Sequence, residues 1–231
     1  MNAPPRELAV DPAAVAHNVD AVRSRIDAAS GGRAVELVAV TKAFSVEAIR
    51  AAMAAGCRVI GENYAQELLA KVAQLEPHER PTIHFIGHLQ TNKVRQLAPV
   101  VSVWETIDRD AAVDEVAKRA PGATVFVQVN VTGEPQQGGC PPEEAEAVVG
   151  RARERGLVVD GLMTIGAMGP PEDTRAGFRT LRRLADGLGV PSCSMGMSGD
   201  FEMAIAEGAT HVRIGSALFG PRVHAAAARL R

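Results

Sequence analysis

Short apolar, β-branched runs recur along the chain, separated by longer stretches with helical spacing. The runs are VELVAV (35–40), RVIGE (58–62), TIHFIG (82–87), VSVWETI (101–107), TVFVQVNV (124–131), LVVDGLMTI (157–165), PSCSMG (191–196) and HVRIG (211–215). Several are apolar along their whole length, as strands are when both faces of a parallel sheet are covered. The stretches between them are rich in Ala, Glu and Arg. One runs from Val46 to Ala55, with Ser45 as its expected N-cap and Gly56 as its stop; another runs from Glu143 to Glu154 and ends at Gly156. Ahead of the first strand, Asp11 reads as an N-cap with Pro12 at the first helical position. A helix over about 12–29 follows, with Val15, Val19, Val22 and Ile26 on one stripe, and Gly31-Gly32 closes it.

Eight strand candidates, each followed by a helix or a helical turn, fit a single (β/α)8 TIM-type barrel better than an open doubly wound sheet. The expectation is one α/β domain over 1–231, with the N-terminal helix preceding the first strand. The loops GEPQQGGCPPEE (133–144) and GAMGPPEDT (166–174) are too short for domain boundaries, and no repeat appears beyond the β/α period.

Composition narrows the class. The chain is 46% hydrophobic and 23% charged, enough for a sizeable core and against disorder. Aromatics are only 3%, so Val, Leu, Ile, Ala and Met must build that core. Net charge is −2 with no basic block, which argues against nucleic acid, where phosphate neutralisation needs clustered Lys and Arg. Cys57, Cys140 and Cys193 are odd in number and form no CxxC, as expected for reduced thiols; Cys57 and Cys193 read as small buried fillers. MNAPPRELAVD has no apolar core of a signal peptide, and no run is long enough for a membrane span. The expectation is a soluble, cytoplasmic protein.

In a barrel, chemistry sits at the C-terminal ends of the strands. Polar residues there are Lys42; Glu62, Asn63 and Tyr64; His84 and His88; Gln128 and Asn130; Ser198; and Arg213, Gly215 and Ser216. SMGMSGD (194–200) and RIGSALFG (213–220) stand where barrels bind phosphate, in the loops after the last two strands. Glycine lets the backbone approach an anion, and Ser198 and Ser216 offer hydroxyls; two ordinary Gly/Ser turns are the plainer alternative. Lys42 ends the run LVAVTK. A strand-end lysine often just reaches water. In a partly desolvated barrel mouth, however, its pKa falls and its free amine can attack an aldehyde. A Schiff-base lysine with a phosphate cradle fits pyridoxal 5′-phosphate, and it fits a sugar-phosphate aldolase. Arg213 shares a face with Gly215. It could donate to a pyridine nitrogen, leaving the ring a weak electron sink, or pair with a carboxylate such as Glu62 or Asp200.

LVAVTK, GENYAQE, IHFIGHLQTNK, GLMTIG, SMGMSGD and VRIGSALFG together resemble the YggS/PROSC family of pyridoxal phosphate-binding proteins, over about residues 8–221. The resemblance implies a barrel like the N-terminal domain of alanine racemase. It implies that Lys42 forms the internal aldimine, that Asn63 lies near the ring, that Ser198, Gly215 and Ser216 hold the phosphate, and that Arg213 faces the pyridine nitrogen. It further implies a role in vitamin B6 homeostasis, buffering or delivering the cofactor, with PLP-dependent apo-enzymes as possible recipients. Two positions depart from the pattern. Gln137 stands where many members carry a lysine in the loop after the fifth strand, and His88 where many carry proline; Lys93 is retained.

The enzymatic alternative is a racemase-like activity, which needs two bases on opposite faces of the cofactor. Alanine racemases take the second, a tyrosine, from a further β-domain across a dimer interface. No such domain is expected before Arg231, and the one tyrosine, Tyr64, lies in the GENY block, where it is expected to pack beside the site. A non-enzymatic, monomeric cofactor-binding protein is therefore the expectation. His84 and His88 stand four apart on a strand-to-loop segment with no third ligand, which argues against a metal; His84 is expected to line the cofactor pocket. The stretch HAAAARLR (224–231) is expected to pack as a helix. A pure interaction protein would need a basic or apolar surface patch, and none is seen.

Overall fold

Asp11 opens the first helix as its position predicts. Its side chain accepts from the Ala13 N–H at 3.0 Å, Pro12 takes the first helical position, and Gly31 closes the helix in the left-handed conformation at φ 60°. The buried stripe of this helix, α1 (Pro12–Ser30), is Val15, Val19, Val22 and Ile26. The computed structural model describes residues 10–167 and 169–221; the stretch 224–231, expected as a helix, lies outside them.

Eight parallel strands follow: β1 (Glu36–Val40), β2 (Val59–Glu62), β3 (Thr82–Phe85), β4 (Val103–Ile107), β5 (Thr124–Gln128), β6 (Val158–Met163), β7 (Ser192–Ser194) and β8 (His211–Ile214). They pair in sequence order, and β8 returns to β1 to close the barrel. The helices between them are α2 (Val46–Ala54), α3 (Ala65–Val72), α4 (Thr91–Leu97), α5 (Asp110–Arg119), α6 (Ala145–Glu154), α7 (Pro171–Gly187) and α8 (Phe201–Ala206). Among the described residues, β8 is followed by the four-residue α9 (Ser216–Phe219). On the outside of the barrel there, α1 packs on α2, α8 and α9. The Asn18 amide donates to Leu218 O at 2.9 Å and ties α1 to that last turn.

Each strand is buried on both sides, for different reasons. Leu37, Ile60, Ile83, Trp104, Leu162 and Val212 pack against the helices in the main core. The alternate positions point into the lumen. There Val38, Phe126 and Met163 share space with the buried polar side chains His84, Glu105, Ser194 and Arg213. The Ser194 hydroxyl donates to Glu105 Oε2 at 2.6 Å. Strands β7 and β4 are not neighbours in the ring, so this bond crosses the interior.

One local expectation holds in position and another needs correction. Ser45 stands at the N-cap of α2, but its side chain makes no capping bond; the helix starts on backbone bonds such as Ala48 N–H to Ser45 O. The segment expected as a helix from Glu143 begins as a 3-10 turn, Pro142–Glu144, because Pro142 sets its entry, and only from Ala145 is it α-helical. Among the described residues no helix is long and apolar enough to cross a membrane.

Candidate functional site

At the C-terminal rim of the strands lies a cavity of about 310 Å³. Lys42, Asn63, Ser198, Arg213, Gly215 and Ser216 all line it, against an apolar wall that includes Val40, Ile86, Met163 and Ile165. All six residues singled out from the sequence therefore meet in one place.

Lys42 is half-buried on the turn between β1 and α2. The next residue, Ala43, has φ 69°, the one positive φ outside glycine among the described residues. For a residue with a Cβ that conformation costs roughly 1–2 kcal/mol. The turn is clamped from behind. The Thr41 hydroxyl donates to Glu62 Oε1 at 2.6 Å, and the Ala43 N–H donates to Glu67 Oε1 at 2.6 Å. Lys71 Nζ donates to Thr41 O, Glu62 Oε1 and Glu67 Oε1 at 2.8, 2.7 and 2.5 Å. The side chains of Lys71 and Glu62 are fully buried. Burial pushes the Glu62 carboxyl above its usual range, while Lys71 and Thr41 pull against it. Glu62, considered above as a partner for Arg213, is thus committed to Lys71.

Arg213 is buried on β8. Its Nη1 donates to Ser194 Oγ at 2.8 Å and its Nη2 to Thr164 O at 2.7 Å. Among the described residues it has no direct carboxylate partner; the nearest link is Ser194, which passes to Glu105. Glu105 Oε1 also meets His84 Nδ1 at 2.5 Å. Burial alone would raise the Glu105 carboxyl. The His84 bond, the charges of His84 and Arg213 and the Ser194 hydroxyl outweigh it, and the group sits below its usual range. Burial lowers the Arg213 pKa, opposed by Glu105 and Asp200. A guanidinium has five N–H groups. Two are used from behind, so the face on the cavity keeps donors for an acceptor placed there.

Asn63 follows β2, and its Oδ1 is buried with no hydrogen-bond partner among the described residues. Its backbone is pressed by the loop after β3: a Cβ on Gly87 would lie 2.0 Å from Asn63 O. Only glycine allows that approach. Ser198 Oγ accepts from Ala217 N–H at 3.2 Å, joining the loop after β7 to the start of α9. Asp200 Oδ1 accepts from Met197 N–H at 2.5 Å and shapes the same loop. Burial raises the Asp200 carboxyl, against that N–H and the Arg213 charge.

Other strand-end candidates lie elsewhere. His84, expected to line the cavity, is held in the lumen by Glu105 instead. Gln128 donates to Gly138 O, and Asn130 ties down the loop after β5. Tyr64, expected beside the site, is 57% exposed; with His88 and Lys93 it lines a neighbouring cleft. Among the described residues no three His, Cys, Asp or Glu side chains are placed to hold a metal ion. Cys57, Cys140 and Cys193 are buried free thiols; burial pushes Cys140 and Cys193 up to about 12. The sequence reading missed Glu105, Ser194, Glu67 and Lys71. A glutamate inside the apolar run VSVWETI was the one available signal.

The family model described as "Alanine racemase, N-terminal domain" matches residues 10–223. The pyridoxal phosphate homeostasis protein of Aquifex aeolicus is 42% identical over 207 residues, covering 84% of this chain and 90% of its own. The chain belongs to the pyridoxal phosphate homeostasis protein family. The family member from Pseudomonas aeruginosa is 40% identical over 232 residues, covering 93% of this chain and 98% of its own. The solved structure of PipY from Synechococcus elongatus with PLP bound matches with a TM-score of 0.80 and 32% identity, covering 89% of this chain and 100% of PipY. In this member of the pyridoxal phosphate homeostasis protein family, Gln137 donates to Glu134 Oε2 at 2.9 Å and Gly166 O at 3.2 Å. It links the loops after β5 and β6.

Proposed function

We propose that the chain binds pyridoxal 5′-phosphate in this cavity, holds it by a reversible covalent bond to Lys42, and buffers or delivers it in the cytoplasm without catalysing a reaction. The observation that carries the reading is the meeting of Lys42, Arg213 and the Ser198 and Gly215-Ser216 loops around one cavity. Family membership and the PLP-bound PipY structure support it.

The residues fit the group. The cavity matches the lower range of small-ligand sites, about 300 Å³ upward. Arg213 keeps N–H donors on the cavity side, and Asn63 Oδ1 is an orphaned acceptor on the wall. When bound, the cofactor supplies an aldehyde and a conjugated ring able to take up electrons. Lys42 would hold the group through its amine, by a bond that forms with loss of water and is reversed by hydrolysis, so that no electrons are exchanged. Arg213, which keeps its proton, would donate to the ring nitrogen, leaving it unprotonated and the ring a weaker electron sink. Ser198, Ser216 and the Gly215 backbone would hold the phosphate, beside the start of α9.

A racemase-like enzyme is disfavoured on the same geometry. Among the described residues lining the cavity, Lys42 is the one side chain able to serve as a base, and Tyr64 is not among them. The protein acts as a monomer that passes the cofactor to PLP-dependent apo-enzymes. Borohydride reduction of the loaded protein followed by peptide mass analysis tests the reading. The cofactor is expected on the peptide bearing Lys42 and is lost in Lys42→Ala. Wild-type protein that takes up no pyridoxal phosphate overturns it. Turnover of an amino acid at about 1 s⁻¹ or faster would replace it with the racemase reading.

A further inference from the structure

We propose that Lys71, Glu62 and Glu67 form a positioning cluster that holds the β1–α2 turn in the one conformation that presents the Lys42 amine to the cavity. The inference rests on the reading of Lys42 just given. None of the three lines the cavity, so any effect on binding must pass through residues that do, Lys42 first and Asn63, which follows Glu62.

The cluster grips the backbone on both sides of Lys42. Ahead of it, Lys71 Nζ holds the Thr41 carbonyl and Glu62 holds the Thr41 hydroxyl. After it, Glu67 holds the Ala43 N–H. That N–H belongs to the residue at φ 69°, a conformation alanine leaves unless its surroundings impose it. Lys71 spends its three N–H groups on three acceptors, two of them carboxylate oxygens and one the backbone next to Lys42. An ammonium and a carboxylate with fully buried side chains are an expensive way to fill space that apolar residues fill better. Their return here is directional: two of the bonds fix backbone atoms next to Lys42, Thr41 O and Ala43 N–H, and a third holds the Thr41 hydroxyl.

Two ligands separate positioning from general support. Pyridoxal 5′-phosphate uses Lys42 and the rest of the cavity; pyridoxine 5′-phosphate, the corresponding alcohol, has no aldehyde and uses the rest alone. Equilibrium titrations of both are run on folded wild type, Glu67→Ala, Glu67→Gln, Lys71→Met and Lys42→Ala. Glu67→Ala and Lys71→Met are expected to lower aldehyde affinity tenfold or more while leaving alcohol affinity within about threefold. Glu67→Gln, which keeps an acceptor for Ala43 N–H, is expected to recover most of the loss. Equal loss of both ligands, or of neither, overturns the inference. Glu67 is partly exposed, so its variants keep the test open if Lys71→Met does not fold. If wild type itself shows no aldehyde preference and no adduct on Lys42, the reading of Lys42 falls and this inference with it. If wild type shows both and Glu67→Ala matches it, this inference alone falls.

Discussion

Arg213 and Glu105 are joined through a single hydroxyl: Arg213 Nη1 donates to Ser194 Oγ at 2.8 Å, and Ser194 donates to Glu105 Oε2 at 2.6 Å. A serine has one proton to give, so the direction of the chain is set. Glu105 takes that proton in the lumen, and the Ser194 oxygen is left to accept from the guanidinium. The arginine at the cavity wall is thereby aimed from below, with its charge balanced across the barrel.

Ser194→Ala removes the hydroxyl and leaves a buried guanidinium nitrogen and a buried carboxylate oxygen without partners. Hydrogen bonds to charged groups contribute about 1.5–3 kcal/mol each, so the variant is expected to lose about 3 kcal/mol of unfolding free energy. Urea unfolding measures this. Pyridoxal phosphate titration is expected to show weakened binding as well, because Arg213 loses one of its two fixed contacts. A variant as stable as wild type would show that the lumen reorganises around the gap.

The two buried glutamates predict opposite pH slopes. Glu105 has a folded pKa below its usual 4.5. Its contribution is therefore present above that value and lost as pH falls through the folded pKa. Glu62 is raised above 4.5, so its contribution is present below that value and lost as pH rises through the folded pKa. Unfolding free energies between roughly pH 2 and 8 check both signs. The advantage of wild type over Glu105→Gln is expected to shrink on acidification. Relative to Glu62→Gln, wild type is expected to lose ground as pH rises.

The barrel was legible because each strand is an apolar run closed by a polar rim residue, and most helices end at glycine. The cavity residues were legible because a barrel sends the ends of its strands to one face. The lumen network was not. Trp104 and Glu105 are adjacent, and both are fully buried, one among helices and one inside the barrel. With both sides of the strand buried, apolar/polar alternation no longer distinguishes inside from outside. Lys71 was hidden differently: four residues after Glu67 on a helix, it has the spacing of a surface ion pair, and only tertiary packing turns it onto Thr41.

Gly87→Ala tests how tightly Asn63 is set. The added Cβ would stand 2.0 Å from Asn63 O and 2.6 Å from Asn63 C, both backbone atoms that cannot rotate away. The Thr106 hydroxyl also holds Gly87 O at 2.7 Å, so the loop cannot simply retreat. A cost of about 3 kcal/mol is expected, the upper end for overpacking. Thermal unfolding reads it, and pyridoxal phosphate affinity is expected to fall with it as Asn63 is displaced.

Ser198 offers the cleanest separation of phosphate binding from aldehyde binding. Its hydroxyl accepts from Ala217 N–H and so fastens the loop after β7 to the first turn of α9. Ser198→Ala removes that fastening and, on the proposed reading, one hydroxyl that would hold the phosphate. The expected loss in pyridoxal 5′-phosphate affinity is about tenfold, the size of one hydrogen bond to a charged group. Pyridoxal, which carries the same aldehyde without the phosphate, is expected to bind within about twofold of wild type, because Lys42 is untouched. Lys42→Ala is expected to reverse the pattern, abolishing pyridoxal binding while retaining weak, phosphate-dependent capture of the phosphorylated form. Parallel titrations of both ligands against both variants read this double dissociation. If Ser198→Ala weakened the two ligands equally, the loop would be shaping the whole cavity and the phosphate would have to be held elsewhere.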